Sequence, residues 1–287
     1  MKRKLATWIM CFIMVFAMFP VTAHADTGPK PSVRITFENM GDEVCYGTLL
    51  SKTDSTGPSS AWDGNPDHIY NYDLDIDIWQ AFVDYEDADG YYFLQEGWLC
   101  SESKELNWTY YPPSSFKILL YYPELDTYTV SGIYERYAFD SYFRVTMDGL
   151  EIQSVDDKAY DYTWELISLV CRIIVTIALE LAIAWLFGLR QKKLITTVLG
   201  VNVLTQIGLN VALNIINYNR GAFMFIFCYV LLEILVFVVE AVAYVVLFRK
   251  RSELRITKKR TVSYALVANI VSFIGGMAVA QFVPGIF

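Results

Sequence analysis

The chain divides by the rhythm of its apolar positions. From residue 164 onward, long apolar runs carry polar side chains at intervals of about four and seven, the period of a helix. Between 31 and 160 the apolar residues come in short alternating runs, the period of a strand. Four of the long runs, 164–188, 194–217, 222–248 and 261–283, are long enough to cross a hydrocarbon core. Each predicts a transmembrane helix.

Within those runs the polar residues fall into lines. In LTQIGLNVALNIIN, residues 204–217, Gln206, Asn210, Asn214 and Asn217 continue a line begun by Asn202. At 100° per residue they share about 120° of arc. Glu165, Arg172, Thr176 and Glu180 occupy about 80° of the first run, and Tyr229, Glu233, Glu240 and Tyr244 about 60° of the third. The fourth run repeats small residues at Ala268, Ser272, Gly276 and Ala280, with Asn269 alongside. Such polar groups are costly against lipid and turn inward, while small residues let helices approach closely. The pattern predicts a four-helix transmembrane bundle enclosing Arg172, Glu180, Asn202, Gln206, Asn210, Glu233, Glu240 and Asn269. Matching their depths along the helices predicts contacts of Arg172 with Glu233, and of Glu180 with the Asn202 and Asn269 amides.

The short runs at 31–160 include PSVRITFEN, EVCYGTLLS, IWQAFVDYED, GYYFLQEGWL, FKILLYYPE, TYTVSGIYE and YFRVTM, separated by turn material such as DADG and YPPSS. About seven strands predict an all-β sandwich, immunoglobulin-like architecture included, with a small barrel as the competing fold. DDKAYDY, 156–162, reads as a short polar linker to the first span. The aromatic side chains serve mainly as core; those left on loops offer a recognition face for glycan, peptide or another envelope protein.

The first 25 residues have a basic end, an apolar core and an Ala23-His24-Ala25 exit, the plan of a secretory signal peptide, with an uncleaved membrane helix as the alternative. GLRQKK and RKRSELRITKKR (249–260) are short and basic, whereas NYNRG and FVPGIF are poor in charge. The positive-inside rule then puts both basic loops in the cytoplasm. The predicted location is the plasma membrane, multi-pass, with residues 26–160 and the C terminus extracytoplasmic.

Charge and cysteine narrow the chemistry. Residues 26–160 hold 25 acidic against 8 basic side chains, a net charge of −17 that suits no nucleic acid. Cys45 and Cys100 allow a single disulfide outside the membrane, the alternative being two buried thiols. Asp73, Asp75 and Asp77 would share one strand face and form a weak calcium candidate, against the simpler reading of a solvated acidic edge. Past the leader the one histidine is His68, and the chain lacks a P-loop, an H-E-x-x-H and a dinucleotide fingerprint. No enzyme activity and no cofactor are expected.

TQIGLNVALN followed by YVLLEILVFVVEAVAY, below a module carrying FKILLYYPE and YERYAFDSYFRV, resembles an uncharacterised family of Gram-positive bacterial membrane proteins. The resemblance implies a bacterial envelope location and transfers no activity. The expected role is an integral membrane protein with an external binding or sensing domain, an accessory subunit of an envelope complex. The alternative is a small transporter or channel for a cation, a proton or a small polar solute. Expected partners are the lipid bilayer and another membrane or envelope protein, or a second copy.

Overall fold

The alternating runs form two sheets. The computed structural model describes residues 28–68, 74–251 and 256–280. The leader at 1–25, Asp73, part of the basic loop and the last residues lie outside that range. In chain order the β-rich region contains β1 (Ser32–Glu38), β2 (Tyr46–Ser51), β3 (Ser55–Thr56), β4 (Ser59–Ser60), helix α1 (Ile76–Asp84), β5 (Tyr92–Phe93) and β6 (Trp98–Leu99). It continues with helix α2 (Cys100–Ser103), β7 (Glu105–Trp108), β8 (Ser115–Tyr122), β9 (Thr127–Val130), β10 (Tyr134–Glu135), β11 (Asp140–Asp148) and β12 (Glu151–Asp157).

One sheet has the order β12-β11-β1-β7, with β1 parallel to β11. The other runs β10-β8-β2-β5, with β9 on β8 and β6 on β2. A single core draws Val33, Ile35 and Phe143 from the first sheet and Leu49, Phe116 and Ile118 from the second. The opposite face of β8 and β2, with Leu119, Tyr121 and Leu50, is covered by Ile78, Trp79 and Phe82 of α1. Strand β8 is therefore buried on both faces, which is why ILLYY, after Lys117, reads as a continuous apolar run rather than an alternating one. Burying each such large side chain contributes about 1.5–3 kcal/mol.

Helix α1 corrects the strand expected over IWQAFVDYED. Its buried positions, Ile78, Trp79 and Phe82, follow helical spacing, and the Asp75 side chain caps it by accepting from the Asp77 N–H at 2.8 Å. Asp75 and Asp77 share no strand face, since Asp75 is a cap and Asp77 stands in the first helical turn; Asp73 lies outside the described residues. Among the described residues no three His, Cys, Asp or Glu side chains are grouped to hold a metal ion.

Among the described residues the C-terminal part has three helices long and apolar enough to cross a membrane: α3 (Thr163–Leu186), α4 (Lys192–Arg251) and α5 (Lys258–Ala280). The sequence predicts two helices where α4 stands. A straight helix would place Asn202 and Tyr244 about 63 Å apart, yet the Asn202 amide donates to the Tyr244 hydroxyl at 2.8 Å. The element doubles back on itself, and its one non-helical residue, Gly221, has φ 76°. At α3 the stop is Gly188, at φ 68°, where Leu189 N–H bonds the Ala184 carbonyl and Gly188 N–H that of Trp185. The Arg260 guanidinium bonds the Phe187 carbonyl, a cation at a helix C terminus.

Candidate functional site

The buried face of α3 is Ser168, Arg172, Thr176, Glu180 and Ala184, a line at every fourth residue that is almost wholly polar. Its outward side chains are apolar, Leu166, Ile167, Val170 and Ile174 among them, each more than two-fifths exposed. A helix in water has the reverse arrangement. The same inversion holds in α4, where Asn202, Gln206, Asn210 and Glu240 are buried while Leu204, Val211, Leu231 and Val242 are exposed.

Two carboxylates occupy the centre. Glu180 accepts from the Asn202 amide at 2.6 Å, and Tyr244 Oη lies 3.5 Å from the same oxygen. Glu240 accepts from the Thr205 hydroxyl at 2.6 Å and from the Asn269 amide at 2.8 Å. Glu180 is 1 % exposed and Glu240 0 %. The groups that reach them are neutral donors, and neither carboxylate enters a salt bridge among the described residues. Buried ionised carboxylates without a counter-charge are very unfavourable in a low-dielectric interior. These positions therefore favour a bound proton or a bound cation.

The contacts depart in part from those expected. Asn269 serves Glu240 rather than Glu180, because α5 lies against the second limb of α4 at that level. The Arg172 guanidinium lies 5.2 Å from the centre of the Tyr229 ring, and no Arg172–Glu233 salt bridge forms among the described residues. In α5, Ala268 and Ser272 are buried, and Gly275 meets α3: a Cβ there would come within 2.4 Å of Leu179. Asn214 and Asn217 leave the seam and are exposed toward the β-rich region.

Where that region meets the helices, a cleft of about 520 Å³ opens. Tyr137, Tyr142, Tyr160, Tyr162 and Tyr218 line it, together with Asp140 and Glu165. Asn214, Asn217 and Asn219 close one side, and Leu166, Leu169 and Ile215 face the apolar one. The rings fall into two groups, with centroids 4.6 Å apart for Tyr142–Tyr160 and 4.7 Å for Tyr160–Tyr162, and 6.3 Å for Tyr137–Tyr218.

The wall is fixed in place. The Tyr137 hydroxyl donates to the Tyr142 carbonyl at 3.2 Å and accepts its N–H at 2.8 Å, while Ser32 Oγ donates to Asp140 at 2.5 Å. Phe139 N–H bonds the Tyr218 carbonyl at 2.9 Å, and Phe139 packs where a Cβ on Gly221 would stand, 2.4 Å from the ring. Burial pushes the Tyr137 and Tyr142 phenols above their ordinary range, so both are neutral at physiological pH. Sequence reading passed over Tyr160, Tyr162 and Tyr218 because it took their segments as connections. The repetition of tyrosine on either side of span boundaries was the available signal.

Of the two readings left open for Cys45 and Cys100, the structure has the second: both are buried free thiols. Their sulfurs approach separate backbone carbonyls, Tyr46 at 3.7 Å and Trp98 at 3.4 Å. The backbones adjoin, Cys100 N–H bonding the Cys45 carbonyl at 2.8 Å, and burial pushes the Cys45 thiol up to about 12. Compared with protein-family models, with curated proteins and with solved structures, the chain has no match in any of the three.

Proposed function

We propose that this is an integral membrane protein of a bacterial envelope, with four spans formed by α3, the two limbs of α4 and α5. Its external domain, of β-sandwich architecture, binds or senses a ligand and acts as an accessory subunit of an envelope complex. The observation that carries this reading is the inversion of the helices, polar inward and apolar outward, beneath a β-rich domain held on the α4 turn by Phe139. A domain docked in this way supports transmission of its state to the helices, since it cannot shift without moving Tyr218 and Gly221.

A second reading, a path for a proton or a cation, is supported by Glu180 and Glu240, two buried carboxylates served by neutral donors. One pair of measurements separates the two. The full chain is purified in mild detergent to identify retained membrane proteins, and reconstituted in vesicles to measure proton and cation flux. Under the leading reading a partner is retained by the wild type and lost in Phe139→Ala at unchanged folded yield. A lone, monodisperse protein whose flux is abolished by Glu240→Gln would replace that reading with the second.

A further inference from the structure

We propose that the cleft between the β-rich domain and the helices binds an amphiphilic organic cation: an ammonium head among the tyrosines, with an aliphatic tail along the helices. The proposal rests on reading the domain as a binding module and names the ligand class.

Three observations converge on it. Five tyrosine rings line the cleft, and the faces of aromatic rings attract ammonium groups. The charged side chains of the lining are both acidic, Asp140 and Glu165, with no Lys or Arg among them. Arg34, outside the lining, already lies over the Tyr142 ring at 5.8 Å, which shows how that ring receives a cation. Finally, Glu165 Oε2 is buried and has no hydrogen-bond partner among the described residues, although its helix begins only two residues earlier. A buried carboxylate oxygen left unpaired is costly, and an ammonium beside it removes that cost.

The tail follows from the other wall. Leu166 and Ile215 are 62 % and 59 % exposed and continue into the apolar outer faces of α3 and α4. A ligand with its head in the cleft would lay its chain along this surface. An anionic head would meet two carboxylates and no lysine or arginine in the lining, Arg34 standing outside it over Tyr142. A volume of about 520 Å³ accommodates a substituted ammonium with part of a chain. The same chemistry is available from a lipid headgroup or from a free cationic amphiphile.

The test uses the full chain in nonionic detergent, with choline, octyltrimethylammonium and 3,3-dimethylbutan-1-ol, the uncharged isostere of choline, as probes read by tyrosine fluorescence. Saturable binding is expected for both cations, tighter for the one with a tail, and at least tenfold weaker for the isostere. Glu165→Gln should weaken cation binding about tenfold at an unchanged melting temperature. Tyr162→Leu, at an exposed ring, should do the same and keeps the test open if the first variant folds poorly. Isostere and cation binding equally, no saturable binding, or undiminished affinity in both variants would each overturn the proposal. Repeating the titration in phosphatidylcholine and phosphatidylglycerol nanodiscs assigns the source. Competition by the choline lipid indicates a headgroup site, and equal binding in both indicates a free cation. Binding in detergent does not depend on membrane sidedness or on a partner, so its failure is distinguishable from failure of the broader reading.

Discussion

At the residue scale, strand β8 carries a lysine in the middle of a hydrophobic strand. Lys117 of β8 is buried, and its ammonium meets Asp87 at 2.8 Å and Asp89 at 2.6 Å. Burial alone would raise the Asp87 carboxyl, but Lys117 and the N–H groups of Tyr91 and Asp89 overcome it and hold the group below the usual carboxylate range. Its stabilisation is fully present above an unfolded pKa of about 3.9 and lost as pH falls through the lower folded value. Burial lowers and the two aspartates raise Lys117, with a net rise. Its contribution is full below about 10.4 and lost as pH climbs through the folded value. Lys117→Met should destabilise the domain by about 3 kcal/mol, leaving Asp87 buried and unpaired; tryptophan near-UV dichroism during denaturant unfolding measures it. Cys45 gives a second residue-level prediction. With its thiol held neutral by burial, native protein at pH 8 should react slowly with an aromatic disulfide reagent, and unfolded protein quickly. Fast native labelling would contradict the buried position. FKILLYYPE was legible as a strand, but the partners of its lysine lie thirty residues earlier in a turn, where no local pattern reveals them.

At the element scale, the outcome followed the strength of each periodic signal. The buried lines on α3 and α4 were legible because helical spacing repeats over several turns at Arg172, Thr176 and Glu180, and at Asn202, Gln206 and Asn210. Asn214 and Asn217 continued that spacing but stand at the end of the limb, where the cleft replaces helix contacts. Helix α1 was misread because DLDID alternates like a strand immediately before IWQAF, and nine residues give helical period little room. The turn of α4 was legible in NYNRG, whereas its closeness to Phe139 was not. Gly221→Ala should therefore destabilise by about 1–3 kcal/mol for its glycine-only positive-φ backbone alone, more with the Phe139 clash. Thermal melting of the full chain in detergent checks this. Gly208→Ala, where an added Cβ meets nothing within 4 Å, is the matched control and should not destabilise.

For the whole molecule, the physical account is an exterior of hydrocarbon around an interior of amides and carboxylates, with a β-rich domain seated at one end. Charge pattern predicts a sidedness, and helical period gave the interior. The cleft between the two parts needed the fold, because its tyrosines come from the β10–β11 connection, β11, the connection from β12 to α3 and the α4 turn. The most direct measurement is protease access in intact cells, using one cleavage site inserted in the exposed β8–β9 turn at Glu124–Asp126 and another between Arg251 and Lys258. The account predicts cutting at the first without lysis and at the second only after lysis. Cutting at the second in intact cells, or protection of the first, would contradict it.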